Sequence, residues 1–152
     1  MSEDDFNGML ARGVETVLET MFFTAPLPPA DAQPGGGALL ARVVFEGEPS
    51  GTLCLRISEA SARSLAASFL GEDEESLGAI QIGQVVCELA NMLCGWLLSQ
   101  VEHDRHFKLG ASELLLDESV NLSSSPATSE QTFAIENGIL TVALCMDDPH
   151  ER

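Results

Sequence analysis

The sequence predicts an α+β fold: a mixed, largely antiparallel sheet packed against long helices. Two hairpin patterns and one long apolar helix carry this reading. Short apolar and β-branched stretches at 38–45 and 52–57 flank Gly47-Glu48-Pro49-Ser50-Gly51, as the strands of a hairpin do. A second pair, 132–135 and 139–146, flanks Glu136-Asn137-Gly138, and Asn-Gly suits a tight primed turn. Hairpins pair antiparallel, and without alternating βα units a doubly wound parallel sheet is excluded.

Taken in order, Phe6, Met9, Leu10, Gly13, Val14, Val17, Leu18, Met21 and Phe22 recur at steps of three and four, the stripe of an amphipathic helix over 4–23. Ser2, Asp4 and Asp5 supply caps and favourable negative charge at its start. Prolines 26, 28, 29 and 34 and Gly35-Gly36-Gly37 then break regular structure, and 26–37 reads as an internal loop of a single domain spanning 1–152. After the first hairpin, Ser58 is placed to cap a second helix that turns Ala62, Leu65, Ala66 and Phe69 inward and stops at Gly71. The acidic run Glu72-Asp73-Glu74-Glu75 precedes a third helix, 77–101; there its charge serves the helix N-terminus better than a metal. A strand at 111–116 and a polar loop at 119–129 lead to the last hairpin.

Composition narrows the function. Lys+Arg 7 against Asp+Glu 24 leaves a net charge of −17, and the cations, Lys108 and six scattered arginines, form no basic face for nucleic acid or an anionic membrane. With 45% hydrophobic residues the chain has material for a core, so the charge does not imply disorder. No apolar run approaches the roughly 20 residues that span a bilayer, and Met-Ser-Glu-Asp-Asp lacks the positive start of a signal peptide, so a cytoplasmic location is expected. Cys54, Cys87, Cys94 and Cys145 sit in apolar segments without C-x-x-C spacing and read as small buried hydrophobes.

Phosphate-binding glycine loops, G-x-S-x-G and H-E-x-x-H are all missing. His103, Asp104 and His106 lie past the long helix with no fourth ligand nearby, and suit a helix-terminal cation better than a metal site. The pair Asp4-Asp5 resembles the acidic pocket of receiver domains in composition alone.

The third helix is the informative segment. At 100° per residue, Ile82, Val85, Val86, Leu89, Ala90, Met92, Leu93, Trp96 and Leu97 share one arc, and Leu77, Gln81, Gln84, Glu88, Asn91 and Gly95 share the other. A merely solvated face carries several lysines and glutamates, whereas this one offers amides, a bare glycine and one charge, Glu88. Glycine costs about 1 kcal/mol relative to alanine inside a helix, so Gly95 beside Glu88 and Asn91 suggests the close approach of a partner, weighed against an ordinary exposed stripe.

The segment Glu88-Leu89-Ala90-Asn91-Met92-Leu93-Cys94-Gly95 resembles the E-x-x-N-x-x-x-G signature helix of the CheX/CheC/FliY chemotaxis phosphatases. CheX is the nearest likeness, because the first helix has no second E-x-x-N: Glu15 is followed by Leu18 and Glu19 by Phe22. The order of elements and Val-Glu-Thr-Val-Leu-Glu-Thr-Met-Phe in the opening helix agree with it. One position departs: four residues before the glutamate the family usually has Asp or Ser, and this chain has Gln84.

The resemblance implies hydrolysis of the aspartyl phosphate of a CheY-like response-regulator receiver domain. Asn91 would orient the attacking water and Glu88 would anchor the receiver's lysine, with Gln84 and Gly95 bordering the contact. The receiver would bring the Mg²⁺, and this chain would need no cofactor. Gln84 and the missing second motif keep open a non-catalytic receiver-binding or scaffold module, and the amide-lined face a small-molecule binding domain. Residues 139–146, uncharged and apolar but for Thr141, would invite pairing with a second copy at a sheet edge or read the same as an interior strand buried on both faces; the resemblance to CheX-like proteins, which form homodimers through their sheets, implies a homodimer.

Overall fold

A computed structural model describes residues 3–21, 37–47, 50–101, 108–110, 112–115, 129–135 and 138–146. The elements are α1 (Glu3–Met21), β1 (Ala38–Glu46), β2 (Gly51–Ser58), α2 (Glu59–Leu70), a 3₁₀ turn (Glu74–Ser76), α3 (Ala79–Val101), β3 (Lys108–Leu109), β4 (Glu113–Leu115), β5 (Ser129–Ile135) and β6 (Gly138–Met146). The six strands form one sheet in the order β3-β1-β2-β6-β5, with β4 also on β1, and every pairing is antiparallel. The α+β expectation holds.

Alternation along the strands builds the core. Ala41, Val43 and Phe45 of β1, Leu53, Leu55 and Ile57 of β2, and Leu140, Val142 and Leu144 of β6 are buried, and join Leu10, Val14 and Leu18 of α1, Ala62 and Leu65 of α2, and Leu89 and Leu93 of α3 in one apolar cluster. Fully burying each of the Val, Leu, Ile and Phe side chains contributes about 1.5–3 kcal/mol, so the cluster dominates stability. Gly13 brings α1 close to α3: a Cβ there would lie 2.8 Å from Trp96 Cε3.

The structure corrects several local expectations. β6 is interior, paired with β2 on one side and β5 on the other, so its apolar character serves the core and exposes no edge. Ser58 stands at the N-cap position of α2 as expected, but its side chain makes no capping hydrogen bond: it ends β2, and its hydroxyl accepts the Ile139 N–H at 3.0 Å and donates to the Ile139 carbonyl at 3.3 Å, pinning the start of β6. Gly138 is a strand residue opposite Ile135, and an added Cβ would run into Ser58 and Ser61. Close packing, not turn geometry, therefore demands that glycine. Leu77 stands before α3 and is buried, off the polar arc to which helical periodicity assigned it. The strand expected at 111–116 is present as β4, and an additional two-residue strand, β3, precedes it; their register on β1 slips by one residue between Phe45↔Leu109 and Arg42↔Glu113, the signature of a bulge. β5 begins at Ser129, inside the expected polar loop.

Gly71 ends α2 as expected, in the left-handed region at φ 67°, its N–H donating to the Ala67 carbonyl. Met9, Leu10, Val14, Val17 and Leu18 are buried on α1 as its stripe requires, while Met21 is exposed. Cys94 is buried and Cys54, Cys87 and Cys145 are half-buried, all as free thiols. By length and hydropathy, Ala79–Gln100 could cross a bilayer, contrary to the expectation that no run approaches that length; here its apolar arc packs into the core. The Ser2 cap, Phe22, loop positions 26–36, Glu136-Asn137, and His103, Asp104 and His106 lie outside the described residues, as do the side chains of Asp4, Asp5 and Phe6.

Candidate functional site

The unusual face of α3 begins at a cap. Gln81 Oε1 accepts the Gly78 N–H at 3.0 Å, the return half of a capping box, so this amide secures the helix start. Arg63 of α2 steadies the approach by donating to the carbonyls of Glu74 at 3.0 Å and Leu77 at 3.4 Å. Beyond the cap, Gln84 and Glu88 are exposed, one helical turn apart, and Asn91 and Gly95 follow, half-buried on the same face. The structure thus brings the four expected residues onto one stripe along α3.

What covers the C-terminal half of that stripe was not legible in the sequence. The β4 and β3 segment runs back along α3. Leu114 sits over Gly83, where a Cβ would be 2.9 Å from Leu114 Cδ2; Leu109 lies near Gly95, where a Cβ would be 3.9 Å from Leu109 Cδ1. Between them Ser112 meets the signature asparagine: Asn91 Nδ2 donates to Ser112 Oγ at 3.0 Å. Cys87, one turn before Asn91, shares a side-chain hydrogen bond with the same serine. Burial pushes the Cys87 thiol up; the Ser112 bond opposes this, and the charges of Glu113 and Glu88 add to the rise.

The N-terminal half of the stripe faces open space. Gln84 and Glu88, with Gln81, Val85, Phe69 and Leu70, line a groove of about 300 Å³ between α2 and α3. Leu70 is 41% exposed there, and Phe69, turned inward as expected, is half-buried against the core. Glu88 has no ion pair among the described residues; the one pair found joins Arg42 and Glu113 across β1 and β4. An exposed, uncompensated carboxylate beside an apolar groove suits a cation carried on a partner surface. Among the described residues no group of three His, Cys, Asp or Glu side chains converges as a metal site.

The face therefore has two parts. Glu88 offers a fixed negative charge at an open groove, and Asn91 offers a carboxamide held from behind. An amide donates and accepts hydrogen bonds without acting as a nucleophile, so the arrangement can dock a cation and hold a water molecule.

Comparison with known proteins identifies the family and the fold. A family model described as chemotaxis phosphatase CheX matches residues 39–136, well over half of the chain and including all of α3. The fold is similar to CheX from Desulfovibrio desulfuricans (18% identity, 94% of this chain and 99% of that one, TM-score 0.71) and to CheX from Vibrio vulnificus (18%, 97% and 99%, 0.72). It is equally similar to the CheX–CheY–BeF3–Mg²⁺ complex from Borrelia burgdorferi (16%, 95% and 99%, 0.71). No curated protein sequence matches the chain.

Proposed function

The chain belongs to the CheX family of chemotaxis phosphatases, and from that premise we propose that it hydrolyses the aspartyl phosphate of a CheY-like receiver domain, with Asn91 and Glu88 as the working residues. The observation that carries the reading is the placement of Glu88 and Asn91 one turn apart on the polar stripe of α3, the first exposed and unpaired, the second oriented by Ser112.

The receiver supplies Mg²⁺ and a lysine that neutralise the phosphoryl oxygens, as befits a partner like the CheY in the Mg²⁺ complex of the Borrelia burgdorferi CheX. What remains is to place water in line. Glu88 accepts a charge-assisted hydrogen bond from the receiver lysine and fixes the depth of docking. Asn91 then holds a water against phosphorus. The water oxygen bonds to phosphorus as the bond to the aspartyl oxygen breaks, regenerating the receiver's aspartate carboxylate and releasing inorganic phosphate, which carries the water's protons. Gln84 and Gly95 border the contact, Gln84 at the groove with Phe69 and Leu70.

Gln84, in place of the usual Asp or Ser, favours one second reading: a receiver-binding module without turnover. One assay separates the two. Receivers phosphorylated with acetyl phosphate and Mg²⁺ are incubated with the protein, and phosphate loss is timed. Faster loss at catalytic amounts of protein supports the phosphatase; binding with unchanged phosphate lifetime at saturation contradicts it.

The single-domain reading of 1–152, a cytoplasmic setting and a homodimer complete the proposal. With β6 interior, the outermost strand at that end of the sheet among the described residues is β5, whose Glu130, Gln131 and Thr132 make it a more polar seam than β6. Light scattering should give twice the chain mass; a mass fixed at 16.2 kDa over a wide concentration range contradicts the dimer.

A further inference from the structure

The proposed chemistry uses the amide of Asn91 but leaves unexplained why a hydroxyl from a different element holds it. Ser112 is well anchored. The adjoining β4 pairs with β1 from Leu40↔Leu115 to Arg42↔Glu113, the Gly110 N–H donates to the Val44 carbonyl at 2.8 Å, and Leu114 is seated on Gly83. The hydroxyl thus reaches Asn91 from the sheet, and its register slip from β3 sets where it falls along α3.

A carboxamide can present either end to solvent, and the two ends are not equivalent for hydrolysis. An N–H facing the water would occupy the lone pair that must attack phosphorus, whereas the carbonyl oxygen accepts a water hydrogen and leaves that lone pair free. With Nδ2 donating to Ser112 Oγ at 3.0 Å, Oδ1 is the end left for the water. We propose that Ser112 is a positioning residue for this reaction, holding the Asn91 carboxamide with its carbonyl toward the attacking water. This rests on the reading of Asn91 as the residue that holds the water.

The test compares Ser112→Ala, Ser112→Thr, Asn91→Ala and the Ser112→Ala/Asn91→Ala pair in steady-state dephosphorylation of a CheY receiver phosphorylated by acetyl phosphate. Ser112→Ala should lower kcat about tenfold with KM unchanged, because a misaligned reacting group loses rate rather than affinity. Ser112→Thr should restore kcat, and Ser112→Ala should cost nothing more once Asn91 is alanine. Wild-type or faster turnover in Ser112→Ala, with Asn91→Ala inactive, overturns the role of Ser112 and leaves that of Asn91 standing. Asn91→Ala as active as wild type overturns both. A second readout needs no turnover: the side-chain amide NMR signals of Asn91, identified by their loss in Asn91→Ala, should shift in Ser112→Ala. Unmoved signals contradict the hydrogen bond itself.

Discussion

Asn91 and Ser112 lie 21 positions apart and are joined by a 3.0 Å hydrogen bond from Nδ2 to Oγ, so the sheet reaches over to orient the central helix's signature side chain. Helix and sheet edge thereby build the site together. Glu88, four residues after Gln84, stands clear of that cover at the groove lined by Phe69 and Leu70.

Gly138 tests the packing that locks α2 to β6. An added Cβ would collide with Ser58 and lie 2.7 Å from Ser61 Oγ, and the Ser58 hydroxyl already holds both polar groups of Ile139. Gly138→Ala should destabilise by about 1–3 kcal/mol through overpacking, read as a lower urea midpoint at unchanged slope. An unchanged midpoint would show that the packing around Gly138 accepts a methyl group and contradict the collision.

Gly95 makes the opposite case. A Cβ there meets Leu109 Cδ1 only at 3.9 Å, an ordinary contact, so Gly95→Ala should fit and gain about 1 kcal/mol from helix propensity. The same methyl should raise KM for a phosphorylated receiver that approaches the helix backbone. A stabilised variant with unaltered KM removes Gly95 from the docking surface.

Cys94 predicts an alkaline weakness. Burial pushes its thiol from an ordinary 9.0 up to about 12. The unfolded chain gives up this proton first as pH rises, so the group's contribution is full below about pH 9 and is lost toward pH 12. Urea titrations between pH 8 and 10.5 should show stability falling above pH 9 more steeply in the wild type than in Cys94→Ala. Equal slopes would assign the alkaline loss to other groups.

The helical period and the two hairpins were legible because burial follows them directly: α3 hides Leu89 and Leu93 and shows Gln84 and Glu88, as a 3.6-residue repeat requires. Other features depended on neighbours distant in the chain. An uncharged apolar strand reads the same at an edge or in the interior, so β6 could not be placed until β5 and β2 flanked it. Ser58 had the chemistry of a helix cap, but Ile139 claims its hydroxyl from 81 residues away. Ser112 had no local signal, since its value comes from a one-residue register slip on β1 that brings it over Asn91. Phe69 and Leu70 showed an apolar pattern without revealing that α2 ends where a groove opens.

The central claim is that Asn91 performs the hydrolytic step while Glu88 docks the receiver, and kcat and KM measured for Asn91→Ala and Glu88→Ala on one phosphorylated CheY receiver test it most directly. Asn91→Ala should lower kcat about 100-fold with KM little changed, the pattern of an interaction made in the transition state, and Glu88→Ala should chiefly raise KM. Wild-type kcat in Asn91→Ala would contradict the account.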